Sequence, residues 1–546
     1  MRVSKRAGAV ALGAAFVLVA AGCGSGGGSD DAGGTANGSI TIDGVQPESP
    51  LVPADTNETG GGNIIDKLWS GLVRYPNDGG EPVNSVAESI ETGDSKVYTI
   101  KIKQGLKFHD GTEVQAHNFV DAWNWAAYGP NGAKNSSFFS DIDGFNDVYT
   151  EDPDGPDGPE KAPKPKAEKM KGLEVVDDYT FKVTLAAPFS IFPVKLGYSA
   201  FYPMPDAFFK ADPADFGKNP IGNGPLKFVS WEPNVEVKLT RNEDYQLDDK
   251  SAVKDVTVKL YQDANAAYQD LVAGNLDFMQ QVPVSALAGD KWKTDLDDRT
   301  INVPVPTSAK IDFPIYDEKF KNANLRKAIS MAVDRASITD KIFSGSKKPA
   351  NSWANPLSPG AKDGNCTVCD FKPDEAKQLL QEAGGFTGTL NFYYNGDASH
   401  KEWMEAVAQS VANTLGIDAK AVSIPTFAQF RQQINAHKMD GPYRAAWQQD
   451  YPDVENWIGP LFVTGGSSNN GGYSNPDVDK LYREGTSAPS VEAAHDKFAA
   501  AVEKLDQDVP SIPVYFYNQQ SGYSEKIKRV ETNSKGPIDL SSVELS

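Results

Sequence analysis

The hydrophobic pattern of this chain changes period again and again, and that alternation limits its fold more than any other feature. "YTIKIK" puts Tyr98, Ile100 and Ile102 on one strand face. "TFKVTL" does so with Phe181, Val183 and Leu185, and "VEVKL" with Val235, Val237 and Leu239. Helical stripes lie between such strands. "ANLRKAISMAVDR" spaces Leu325, Ala328, Ile329, Ala332 and Val333 along one helix face. "PDEAKQLLQEAGG" opens with Pro373 at a helix start and stops at Gly384, with Ala376, Leu379, Leu380 and Ala383 as its stripe. "ANAAYQDLVAG" stops at Gly274 and runs into the strand-like "LDFM". Strands alternating with helices predict α/β layers. At 546 residues the chain exceeds one core, and its length predicts roughly two to four domains.

Apolar content of 39% and charged content of 23% are ordinary for a soluble globular protein. The 74 acidic and 53 basic residues leave a formal net charge of −21. That excess argues against nucleic acid, whose phosphates need a basic face. It is compatible with cationic ligands. Residues 151–169, "EDPDGPDGPEKAPKPKAEK", are too rich in Pro, Gly and charge to bury a core; they read as an exposed insertion of no assigned function.

The first residues read as an export signal. Arg2, Lys5 and Arg6 precede an apolar run from Ala7 to Ala21, shorter than the about 20 residues a membrane span needs. The ending Ala21-Gly22-Cys23 resembles a bacterial lipobox, although Ala20 stands where Leu or Val is usual. The resemblance implies a signal peptide of residues 1–22, an acylated (palmitate-bearing) Cys23, and a lipoprotein on the extracytoplasmic face of the cell membrane. A plain secretory signal with an incidental cysteine is the alternative. Residues 23–38 form a Gly/Ser-rich flexible tether. Outside the cell, Cys366 and Cys369 of "DGNCTVCDF" read as a local disulfide, with a redox pair or free thiols as alternatives.

Catalytic patterns are missing. The five His form no H-E-x-x-H and no Cys/His cluster, so no metal is expected. There is no G-x-S-x-G and no P-loop, and the Gly-rich "GGSSNNGG" at 465–472 reads as a loop. No cofactor is implied.

Residues 86–126, "VAESIETGDSKVYTIKIKQGLKFHDGTEVQAHNFVDAWNWA", resemble the signature of the large extracytoplasmic solute-binding proteins of peptide and nickel ABC importers, family 5. Gly105, Phe108, His109, Asp110, Gly111 and Thr112 stand at the places of that family's turn, where His109 reads as structural. "NIIDKLWSGLVRY", "KGLEVVDDYTFKVTL", "NGPLKFVSWEPN", "YQDLVAGNLDFM", "LRKAISMAVDR", "SNPDVDKLYREG" and "DQDVPSIPVYFY" match further blocks, and the resemblance covers about residue 39 to the end.

The resemblance implies a two-lobed periplasmic-binding-protein-like α/β fold (type II, cluster C) with an extra subdomain in lobe I. Lobe I would span 39–302, with the extra subdomain at about 80–200, and return at 507–546. Lobe II would span 303–506. The hinges would be "VPVPTSAKIDF" and "DVPSIPVYFY". Such proteins catalyse nothing; they deliver solute to an ABC permease, and a monomer is expected.

In the peptide-binding branch a W-x-x-D block supplies the carboxylate that meets the ligand's α-amino group. Here it is Trp447-Gln448-Gln449-Asp450. Arg444 stands where several peptide binders place an arginine for the ligand's other end. Phe427 and Tyr451 complete the candidate ligand-binding set. Asp450 could instead cap the following helix, for which Asp453 is at least as good. An oligosaccharide, an opine or chelated nickel is the alternative solute, and an extracellular hydrolase the alternative class.

Overall fold

The structure, a computed structural model, describes residues 38–150, 162–396 and 399–546. The expected signal peptide, Cys23, nearly all of the tether and residues 151–161 of the insertion lie outside them.

Eleven strands form one hydrogen-bonded sheet, ten in a row and the short Lys347–Pro349 paired off that row onto Ser511–Tyr523. Two long strands, Thr300–Asp312 and Ser511–Tyr523, run antiparallel through its middle. On one side lie Tyr443–Gln448, Thr389–Asn395 and Asp418–Ile424, all from the chain between the two long strands. On the other lie Phe278–Met279, Ser39–Gly44, Asp255–Leu260, Glu236–Arg241 and Leu226–Glu232, all from before residue 300. The long pair is therefore the connection between two halves. Its register slips between Pro304 and Ser308, where Pro304 and Pro306 have no N–H to give the ladder.

A separate antiparallel sheet of four strands spans Ala87–Thr92, Val97–Ile102, Thr180–Thr184 and Leu173–Asp177. The helix Ala116–Ala127 covers it. Phe119 stacks on Phe181 at 5.7 Å, and Trp123 meets Phe181 edge-on at 5.6 Å. The alternation read from the sequence buries Tyr98, Ile100, Ile102, Phe181, Val183 and Leu185 as expected. Val235 does not follow. It is 49% exposed, because the strand starts at Glu236 and Val235 closes the hairpin turn by donating its N–H to Glu232.

The helix Ala323–Met331 and the residues after it bury Leu325, Ala328, Ile329, Ala332 and Val333. The helix Pro373–Glu382 ends before Gly384, whose φ of 89° only glycine adopts readily. Cys366 and Cys369 are joined in a disulfide. Its loop is held by the buried Arg335, which donates to the carbonyls of Cys369 at 2.7 Å and Pro513 at 2.6 Å. His109 ties two segments together: its Nδ1 accepts from the Gly222 N–H, and its Nε2 donates to the Gly224 carbonyl, each at 3.1 Å. Burial pushes its pKa down to about 4, so the ring is a neutral brace.

Candidate ligand site

Asp450 follows the strand Tyr443–Gln448, just past the register slip of the central pair. Neighbours fix its backbone. The Gln449 N–H donates to Pro306 at 3.1 Å, and Ser358 Oγ donates to Gln449 Oε1 at 2.5 Å. The Asn456 side chain then organises the loop. Its Oδ1 accepts from the Asp450 N–H at 2.9 Å and from Trp447 Nε1 at 3.1 Å. Its Nδ2 donates to Asp450 Oδ2 at 3.0 Å. Asp450 Oδ1 accepts no hydrogen bond from the described residues. Helix capping falls to Asp453, whose Oδ1 accepts from the Glu455 N–H at 2.8 Å.

Asp450 is neither free in water nor sealed in the core; its side chain is half-buried. Burial pushes its pKa up to about 6, against the Asn456 hydrogen bond and the charges of Lys535 and Lys195. Those lysines come from segments distant in the chain, one before the first long strand and one after the second. So do Tyr75 and Tyr198, whose hydroxyls are pushed well up by burial and then by the charges of Asp450 and Asp66. Lys535 Nζ stands 5.4 Å from the Tyr75 ring centroid and 5.9 Å from that of Tyr198. Gln448 Nε2 donates to the Lys535 carbonyl at 3.1 Å. Asp450 thus lies where segments from both sides of the central pair converge.

Tyr451 stands behind this wall. It is 1% exposed and donates its hydroxyl to Glu455 Oε2. Tyr482 donates to Glu455 Oε1 at 2.5 Å. Lys195 bonds Asp141 at 2.5 Å and lies 5.9 Å from the Tyr451 ring centroid. Burial pushes Lys195 down, but Asp141, Glu455 and Asp450 outweigh it and hold the ammonium above its ordinary value.

Arg444 shares the strand with Trp447 but points to the opposite face, by the two-residue alternation of a strand. Its charge is felt at His400 and Tyr515. Burial, and then Arg444, pushes the His400 pKa down to about 3, and Trp403 Nε1 donates to His400 Nδ1 at 3.3 Å. Phe427 packs with Tyr393 against a satellite cluster of Ile424, Phe430, Ile434, Met439 and Tyr443. The candidate residues therefore divide. Trp447 and Asp450 share one amide, Tyr451 backs them, and Arg444 and Phe427 sit apart. No group of three or more His, Cys, Asp or Glu among the described residues could hold a metal.

The description "Bacterial extracellular solute-binding proteins, family 5 Middle" matches residues 81–469. The chain belongs to this family. Family 5 members are extracytoplasmic binding proteins rather than enzymes. Among the curated relatives, the dipeptide-binding protein DppE of Bacillus subtilis (strain 168) is 29% identical over 492 residues, covering 87% of this chain and 86% of the relative. The Escherichia coli murein tripeptide binding protein MppA superposes with a TM-score of 0.80 at 23% identity, covering 93% of this chain and 98% of that one. Haemophilus influenzae OppA, in complex with the peptide RPPGFSPFR, gives 0.78 at 24% identity, covering 93% and 98%.

The fold is accordingly the two-lobed periplasmic-binding-protein-like α/β fold with an extra subdomain. MppA described as its unliganded open form scores only 0.68, at 23% identity and covering 93% and 97%.

Sequence reasoning missed Asn456, Lys195, Lys535, Tyr75 and Tyr198. Asn456 alone had a local signal, an amide within reach of the W-x-x-D block. The others come from distant segments, and no spacing rule connects them to Asp450.

Proposed function

We propose that this chain captures oligopeptides between its lobes and hands them intact to an ABC import permease. The lobes are residues 39–302 with 507–546, and 303–506, with the extra subdomain at about 80–200. The hinges are the two long central strands, and closure about them is the working motion. The chain works as a monomer without catalysis. It is held at the extracytoplasmic face of the membrane by lipid on Cys23.

One observation carries the reading. Asp450 is a carboxylate pushed up by burial, with one oxygen unclaimed by the described residues. A peptide's α-ammonium supplies the missing donor, in a charge-assisted bond worth about 1.5–3 kcal/mol. That bond reads the end of a peptide and ignores its sequence. Main-chain pairing of an extended ligand adds affinity equally blind to side chains, and Trp447 offers an apolar wall. Arg444, with His400 near it, serves the ligand's other end. The names of DppE, MppA and OppA, all peptide binders, support the choice of solute.

Mass spectrometry of what the purified protein releases on denaturation tests this. Short peptides of mixed sequence are expected; a sugar, an opine or a nickel chelate would overturn the assignment.

A further inference from the structure

Lys535 is placed unlike Lys195, the other lysine whose charge acts on Asp450. Its Nζ lies over the rings of Tyr75 and Tyr198, at 5.4 and 5.9 Å, within the range where an ammonium is attracted to an aromatic face. Among the described residues that ammonium makes no hydrogen bond and no ion pair. Lys195 differs: it is nearly sealed from solvent and held by Asp141 at 2.5 Å. The rings around Lys535 are firmly set. Tyr75 donates its hydroxyl to the Val194 carbonyl at 2.8 Å, and a Cβ at Gly197 would come within 2.7 Å of the Tyr75 ring. Tyr198 packs on Phe138 at 4.5 Å.

The backbone of Lys535 is just as fixed. Asn533 N–H donates to Pro537 at 2.8 Å, Gly536 N–H to Asn533 at 2.9 Å, and Lys535 N–H to Asn533 Oδ1 at 3.0 Å. Gly536 carries φ 111°, which L side chains avoid. Gln448 holds the Lys535 carbonyl. What can move is the four-carbon side chain, swinging from a rigid turn over a rigid pair of rings.

We propose that Lys535 is a resident placeholder for the ligand's amine: its ammonium occupies the Tyr75–Tyr198 cage, on a turn that Gln448, two residues before Asp450, holds by its carbonyl, and a primary ammonium on the ligand displaces it. This rests on Asp450 as the amine partner. Two ammonium groups aimed at one cage and one carboxylate repel each other, so the arriving one expels the tethered one toward solvent. The cage is then a subsite for organic cations, and Lys535 sets a threshold that weakly bound cations do not pass.

The sign of the effect tests the idea. Lys535→Met, measured by calorimetry with tri- and tetra-alanine and their N-acetylated forms after resident ligand is stripped, is expected to bind the free-amine peptides roughly two- to fivefold more tightly than the wild type. Lys535→Arg, which keeps the charge, stays near the wild type. Unchanged or weaker binding by Lys535→Met, in a wild type that prefers the free amine, overturns the placeholder and leaves Asp450 standing. A wild type indifferent to acetylation overturns both. Lysine acetylation read by mass spectrometry gives a second measure. Labelling of Lys535 should rise on adding the free-amine peptide and not on adding its acetylated form. Protection of Lys535 instead would make it a ligand contact and end the proposal.

Discussion

Asp450 and Glu455 stand on one short loop and are built to opposite ends. Glu455 is 1% exposed, and each of its oxygens takes a tyrosine hydroxyl, from Tyr451 and from Tyr482. Lys195 supplies the charge that favours its ionised form. Asp450 keeps part of its surface open, has an amide on one oxygen and has no donor from the described residues on the other. Burial pushes both carboxyls up. The difference lies in satisfaction. A buried polar group with all its partners stabilises a fold, whereas one short of a partner needs another explanation, which on the proposed function is the ligand's ammonium.

The largest expected effect separates these roles. Glu455→Ala strands the buried hydroxyls of Tyr451 and Tyr482, and should lower unfolding free energy by about 2–4 kcal/mol. Asp450→Asn should leave stability unchanged or raise it, because the charge it removes is one that burial disfavours. Urea melts of ligand-stripped protein measure both. Similar losses in the two variants would break the comparison.

The pH dependence sharpens it. The Asp450 carboxyl is held up to about 6, above an unfolded value of about 3.9. Between those values the folded protein binds more protons than the unfolded chain, so this group's contribution to stability falls as pH rises through the window. Binding runs the other way. A peptide ammonium stays protonated below pH 7 and needs the carboxylate ionised. Affinity should therefore fall about tenfold per pH unit below about 6, or about 1.4 kcal/mol per unit. Calorimetry at stepped pH checks this, and a flat profile down to pH 4 would remove Asp450 from the site.

A smaller effect falls on the organiser. Asn456→Ala should weaken peptide binding by about 1 kcal/mol, because it frees Trp447 and Asp450 from the amide that orients them. An affinity unchanged within error would mean that the carboxylate needs no such support.

The layers of the fold were legible because they follow local rules. Alternation buried Ile100 and Phe181, and a glycine ended the helix before Gly384. Val235 broke the pattern because the hairpin turn reached one residue further than alternation could indicate. The W-x-x-D block singled out Asp450 as the candidate ligand carboxylate, and that role is the proposal under test. Tyr451, its neighbour in sequence, is buried behind the wall, and Phe427 packs on a satellite cluster. Adjacency in the chain does not decide which way a side chain faces. Lys195, Lys535, Tyr75 and Tyr198 were invisible. They come from segments distant in the chain, whose charges act on Asp450 or feel it only in the folded molecule, and no pattern within a short window records that.

The most direct test of Asp450 is calorimetry of one peptide and its N-acetylated form with wild type and Asp450→Asn. A bond of about 1.5–3 kcal/mol predicts that the wild type prefers the free amine by one to two orders of magnitude and that the variant loses this preference. A wild type blind to acetylation, or a variant that keeps the preference, would contradict it.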